Sequence, residues 1–113
     1  MKKLEFETVW NDLLEVLEPG MVVYTLVRIY GNRIERIDDD GIWVITRRSS
    51  PGSSLVPKAM FKKAIEYLVE HGELSHAILT EKLRIMRSAF ILAALSHLEY
   101  VEQEPDKPRI YVK

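Results

Sequence analysis

The chain has 113 residues and a mass of 13.1 kDa, which is enough for one hydrophobic core and too little for two. Its 16 Lys and Arg residues nearly balance 17 Asp and Glu residues, and the formal net charge of -1 excludes binding to nucleic acid by bulk positive charge. The absence of cysteine excludes disulfides, thiolate metal sites and a cysteine nucleophile. We therefore expect a single domain, 1–113, made of two subregions, 1–54 and 55–113.

The N-terminal segment predicts an amphipathic helix. Residues 4–17 place apolar side chains at the spacing of one helix face, and Pro19-Gly20 ends the pattern. We interpret this segment as a helix that packs on the core. Because Phe6 and Trp10 are large for so small a domain, a dimer interface is the alternative interpretation of the same face.

The start of the chain does not resemble a signal peptide or a membrane anchor. Glu5 and Glu7 lie where the apolar stretch of a signal peptide would begin. The longest apolar run, 21–26, is far shorter than the roughly 20 residues that span a bilayer. The expectation is a cytoplasmic protein with no membrane partner.

Residues 21–46 change from a helical to a strand-like pattern, rich in β-branched and aromatic residues. Turn signals at Gly31-Asn32 and Asp40-Gly41 divide this stretch into three segments, 21–30, 33–37 and 41–46. The pattern predicts a three-stranded antiparallel meander with one face on the core. The polar residues 47–54 are expected to form the loop that leads to the second half.

From residue 55 onward the signals are helical. Pro57 suits a first helical position, and Gly72 suits the position after a helix. Ser75 is placed to N-cap a second helix, and a third helix is predicted over about 87–98. Two short aliphatic and aromatic segments, 100–102 and 110–112, predict a closing hairpin.

This order of helix, helix, short turn, helix and hairpin resembles the winged helix-turn-helix superfamily. The resemblance is carried by the segments Gly72–Leu83 and Arg87–Leu98 and by Tyr100-Val101, and it covers residues 55–113. One departure is the turn Arg84-Ile85-Met86, where the superfamily usually has glycine or a small polar residue. The fold class we expect is α+β: an N-terminal helix, a three-stranded antiparallel meander and a C-terminal winged helix-turn-helix.

The resemblance implies a non-enzymatic DNA-binding or DNA-associated protein whose third helix enters the major groove. At the start of that helix, Arg87 and Ser88 are the candidates for base readout. The positive charge of the turn and the wing predicts contact mainly with the phosphate backbone of duplex DNA, through Lys82, Arg84, Arg87, Lys107 and Arg109.

The apolar character of the third helix favours a different function. If Ile91 and Leu95 face inward, the predicted outward positions are Ser88, Ala89, Leu92, Ala93 and Ser96. Apolar groups there suit a partner protein better than a base. The alternative function is therefore a protein–protein interaction or dimerisation module that does not bind DNA. Its surface for a homodimer or a protein partner would comprise Phe6, Trp10, Phe90, Leu92 and Ala93.

No residue set in the sequence has the spacing of a catalytic or metal site. Asp38-Asp39-Asp40 lacks the alternating acids of a calcium loop, and we interpret it as a polar hairpin turn. The three histidines show no His-Glu-x-x-His spacing, and no serine lies in a nucleophile elbow. We therefore predict no enzymatic activity, no cofactor and no bound metal.

Overall fold

A computed structural model of the chain describes residues 4–26, 30–46 and 52–113. In these residues the helices are α1 (Phe6–Val16), α2 (Lys58–His71) and α3 (Ser88–Leu95). The strands are β1 (Val22–Tyr24), β2 (Gly31–Asp38), β3 (Gly41–Ile45), β4 (Ser54–Pro57), β5 (Glu73–Ser75), β6 (Val101–Gln103) and β7 (Arg109–Val112). Helices and antiparallel sheets occur together, which confirms the predicted α+β class.

The first sheet contains the predicted meander and one strand more. Its order is β1-β2-β3-β4, with every neighbouring pair antiparallel. The prediction of a turn at Gly31-Asn32 is wrong, because both residues pair with β1 as the first two residues of β2. Of the predicted loop 47–54, residues 47–51 lie outside the described residues, and Ser54 begins β4.

Gly41 allows β4 to approach the β2–β3 hairpin closely. Its φ of +142° is rare for residues with a side chain, and a Cβ at this position would lie 2.2 Å from the carbonyl oxygen of Val56. The side chain of Asp38 closes the turn by accepting a hydrogen bond from the Asp40 N–H at 2.9 Å. The predicted polar hairpin is confirmed, and the packing of β4 explains why it needs glycine.

The C-terminal unit follows the predicted order with a shorter second helix. The Ser75 hydroxyl accepts a hydrogen bond from the Ile78 N–H at 3.2 Å, as expected of an N-cap. Residues 78–82 then form a π-helical turn, in which the Leu83 N–H donates to the Ile78 carbonyl at 2.9 Å. The predicted closing hairpin is β6–β7, and β5 pairs with β7 to give a second sheet of order β5-β7-β6.

One buried cluster includes residues from both halves of the chain. A chain of aromatic rings runs through it, with centroids 5.3 Å apart between Trp10 and Phe61 and 6.3 Å apart between Phe61 and Phe90. Helix α1 thus packs on the core, as predicted. Because Trp10 is only 4% exposed, its ring is closed to a dimer interface.

Candidate functional site

Helix α3, which the resemblance would place in a DNA groove, lies inside the protein. Ser88 is 6% exposed, Leu92 1% and Ala93 0%, and strand β1 packs against the helix. The prediction that these three side chains face outward is therefore wrong. The physical reason is that the helix is apolar almost all round, so the chain covers it on more than one side. Ala89 is its one exposed residue.

The two candidates for base readout are held away from solvent at the start of α3. The Arg87 guanidinium is half-buried and donates a hydrogen bond from Nη1 to the Ser54 hydroxyl at 2.6 Å. Burial lowers the pKa of Arg87, although an arginine remains charged at neutral pH. Arg87 therefore ties the turn before α3 to β4, and the burial of Ser88 closes its hydroxyl to a base.

The cations of the predicted wing are paired with carboxylates of the same chain. Arg109 Nη2 contacts the Glu73 carboxylate, and Arg109 Nη1 lies 3.4 Å from Glu104 Oε2. These contacts, chiefly the hydrogen bond to Glu73, raise the pKa of Arg109. Lys107 Nζ lies 3.7 Å from Glu104 Oε1. A phosphate would have to compete with both carboxylates for this charge.

The turn before α3 presents its positive charge more freely. Lys82 and Arg84 are exposed, and Lys82 Nζ lies 5.3 Å from the centroid of the Tyr67 ring. Arg84 and Arg87 have left-handed φ angles of 51° and 62°, which are uncommon for residues other than glycine. Among the described residues, Arg84 has no hydrogen-bond or ion-pair partner.

A cleft of about 360 Å³ opens beside the exposed edge of α3. Its lining comes from described residues between β1 and β2, from the helical turn that Ser75 caps, from α3 and from the β6–β7 hairpin. Most of its wall is apolar. Its lining residues are Thr25, Leu26, Tyr30, His76, Ala89, Leu92 and Pro108.

Backbone hydrogen bonds fix the walls of this cleft. The His76 N–H donates to the Pro108 carbonyl at 2.9 Å, which joins the helical turn after Ser75 to the β6–β7 hairpin. The Tyr30 N–H donates to the Thr25 hydroxyl at 2.9 Å, and the Thr25 N–H donates to the Tyr30 carbonyl at 3.0 Å. Tyr30 is thereby held at the rim with 60% of its surface exposed. Met86, on the turn before α3, is 76% exposed.

The predicted partner surface is largely internal. Trp10, Phe90 and Ala93 belong to the core, so their assignment to an exposed surface is wrong. Phe6 is half-buried, with its ring centroid 6.1 Å from that of Trp10. Leu92 is the one member of the set that lines the cleft. No sequence pattern indicates Tyr30 and His76 as site residues, because the elements that carry them meet only in the folded chain.

Comparison with known proteins identifies no matching family model, no matching curated protein and no matching solved structure. Over residues 4–26, 30–46 and 52–113, no group of three or more His, Asp or Glu residues is placed to hold a metal ion. The helices of the same ranges are too short or too polar to cross a membrane. A proposal for the function therefore depends on the geometry of the described residues, chiefly the burial of α3 and the cleft beside it.

Proposed function

We propose that residues 58–113 form a winged helix that acts as a non-enzymatic protein-interaction module, and that its partner binds in the cleft beside Ala89. The winged-helix assignment is supported by the order of helix, strand, short helical segment, helix and hairpin. It is also supported by the sheet order β5-β7-β6, which lays the closing hairpin beside the strand that follows α2.

The observation that carries this function is the packing of β1 on α3. That packing closes most of the helix to a DNA groove and leaves an apolar cleft along its exposed edge. Concave, mostly apolar sites with a few polar groups at the rim are typical of ligand and partner recognition. We expect the partner to insert an aliphatic or aromatic side chain beside Leu26 and Ala89, with Tyr30 and His76 as the polar contacts at the rim.

The test blocks the cleft without touching the core. Ala89 and Ala59 are both exposed alanines on helices, and only Ala89 lines the cleft. We therefore compare Ala89→Glu with Ala59→Glu as the matched control. A phage-displayed library of random peptides is panned against the wild-type chain, and the enriched sequences are synthesised and titrated against all three proteins.

The enriched peptides should share an aliphatic or aromatic residue. They should bind wild type and Ala59→Glu equally and bind Ala89→Glu at least about tenfold more weakly, a difference of about 1.4 kcal/mol. Peptides that bind Ala89→Glu as tightly as wild type would refute the cleft as the binding site. A library that yields no binder with an apolar residue would refute the proposed function.

A second candidate function is contact with the DNA backbone at the turn formed by residues 82–87. The exposed guanidinium of Arg84, which has no partner in the part of the chain that the structure describes, favours it, together with the exposed ammonium of Lys82. Two phosphate contacts give a salt slope of about -1.8, so the affinity should fall about 12-fold between roughly 50 and 200 mM salt.

Anisotropy titration of a labelled random duplex at these two salt concentrations tests the second candidate. Arg84→Glu should abolish the salt-dependent binding, while Lys63→Glu, the same charge change at an exposed position of α2, should weaken it less. No binding at the lower salt concentration, or binding that salt does not weaken, would remove this function and leave the protein-interaction proposal intact.

A further inference from the structure

On the face of the four-stranded sheet that points away from the core, strands β1 and β3 carry aromatic and aliphatic side chains. On the inner face, Ile34 and Val44 are 0% exposed. On the outer face, Tyr24 is 57% exposed and Ile45 38%, and Trp43 is half-buried. An antiparallel sheet with one solvated face normally alternates apolar residues inward with polar residues outward. We refer to this outward side of β1–β4 as the outer sheet face.

Strand β2 lays four exposed charges along the middle of the outer sheet face. A β-bulge makes Glu35 and Arg36 together oppose Trp43, so both side chains reach solvent. With Arg33 on one side of this pair and Asp38 on the other, the charges alternate as plus, minus, plus, minus. Read from the opposite end, the same row has the opposite sign at every position.

From this self-complementary row we infer that the outer sheet face binds a second copy of the chain. The copies are related by a twofold axis that passes over β2, level with the midpoint between Glu35 and Arg36. The axis lies in the plane of the interface, perpendicular to the strand, and lays the two β2 strands antiparallel over each other. Arg33 then faces Asp38 of the second copy, and Glu35 faces Arg36 of the second copy.

The order of the charges selects this arrangement over the alternative. In a parallel arrangement each charge would meet its own copy, and like charges facing each other are destabilising. Two copies of one surface form a closed dimer when that surface is complementary to itself under a twofold rotation, which is the commonest symmetry of soluble oligomers. Trp43, directly opposite Arg36 in the ladder, lies beside the axis and would be buried with its symmetry mate.

The same charges argue against a single-stranded nucleic acid as the occupant. Stacking platforms for single strands combine aromatic rings with a positively charged groove. Tyr24 and Trp43 would supply rings, and the Arg36 guanidinium lies 4.3 Å from the centroid of the Trp43 ring. However, Arg36 is paired with Asp38 at 3.5 Å, and the four charges of β2 sum to zero. This inference concerns a different surface from the cleft and does not depend on the proposed function.

The test uses two single charge reversals that should each break the dimer and restore it together. In Glu35→Lys homodimers, two positive charges meet at each of two symmetric positions. In Arg36→Glu homodimers, two negative charges meet there. When the two variants are mixed, every reversed charge faces an opposite charge, so a heterodimer forms. Glu66→Lys, on the exposed side of α2, is the matched control for the charge change.

Sedimentation equilibrium of the full chain at low salt measures the masses. Wild type and Glu66→Lys should sediment at twice 13.1 kDa. Each reversal alone should raise the dissociation constant at least about tenfold, and an equimolar mixture should return it to near the wild-type value. Recovery on mixing also shows that both variants fold.

Three results would overturn the inference. The first is a wild type that remains at 13.1 kDa up to about 1 mM. The second is a dimer that neither reversal weakens, or that mixing does not restore. The third is quenching of tryptophan fluorescence by oligothymidylate in the wild type but not in Trp43→Phe, which would assign the outer sheet face to single-stranded nucleic acid.

Discussion

The loss of stability on truncating Leu92 distinguishes a buried helix α3 from a solvent-exposed one. Leu92 is 1% exposed and is among the largest fully buried side chains of the protein. Leu92→Ala at such a site costs about 2–5 kcal/mol, whereas a substitution on a solvent-exposed helix face changes stability by less than about 0.5 kcal/mol. For 113 residues the entropy of unfolding is about 240 cal/mol/K, so each kcal/mol lowers Tm by about 4 °C. We therefore expect Leu92→Ala to lower Tm by about 8–20 °C.

Urea and thermal unfolding, followed by far-UV circular dichroism, measure this difference. Met86→Ala is the control, because Met86 lies six residues earlier in the chain and is 76% exposed, so its truncation should change stability by less than about 0.5 kcal/mol. Equal, small effects of the two substitutions would mean that α3 is solvent-exposed. That result would reject the packing of β1 on α3 and, with it, the cleft as the binding site.

Three further predictions concern the hairpin, the N-terminal helix and the wing. Gly41→Ala should cost about 2–4 kcal/mol in urea unfolding, because a Cβ there collides with the backbone of β4. Tyr100→Phe removes a 2.9 Å hydrogen bond to Asp12 and should cost about 0.5–1.5 kcal/mol near neutral pH. Burial and Asp12 raise the pKa of Tyr100 in the folded protein, while in the unfolded chain the tyrosine ionises near pH 10. The hydroxyl therefore contributes its full stability below about pH 10 and loses it as the pH rises further. In urea unfolding above about pH 10, the wild type should lose this contribution and Tyr100→Phe should not. Glu73→Gln leaves Arg109 paired with Glu104 alone, so it should steepen the salt slope of duplex binding by at most about 0.9, measured by anisotropy.

Local signals predicted most of the elements. The helical spacing of 4–17, the Asp40-Gly41 turn and the cap at Ser75 each depend on neighbours in the sequence, and each is confirmed. Strand β4 was missed because Ser54–Pro57 is short and contains proline, and its strand character comes from pairing with β3. The turn assigned to Gly31-Asn32 was wrong because pairing with β1 decides the conformation there.

The candidate site was harder to predict, because the partners of its charges are distant in the sequence. Arg109 meets Glu73 across 36 positions, and Arg87 meets Ser54 across 33. Glu104, three residues before Lys107 and five before Arg109, is a local partner for the wing cations, but no local pattern indicates the contact of Arg109 with Glu73. The apolar composition of α3 was the one signal that favoured burial over a groove, and the sequence does not show that β1 is the element that covers it.

Strand β1 connects the two proposed binding surfaces. Val23 is 0% exposed in the core and Tyr24 lies on the outer sheet face, while Leu26, two residues after the strand ends, lines the cleft. The buried Asn32 side chain holds the strand in place by donating hydrogen bonds to the Val23 and Tyr30 carbonyls, both at 3.3 Å. Because a one-residue slip of β1 would exchange its inner and outer side chains, the register that Asn32 fixes determines both surfaces together. A dimer on the outer sheet face would therefore stabilise the position of β1 that keeps α3 covered and the cleft open.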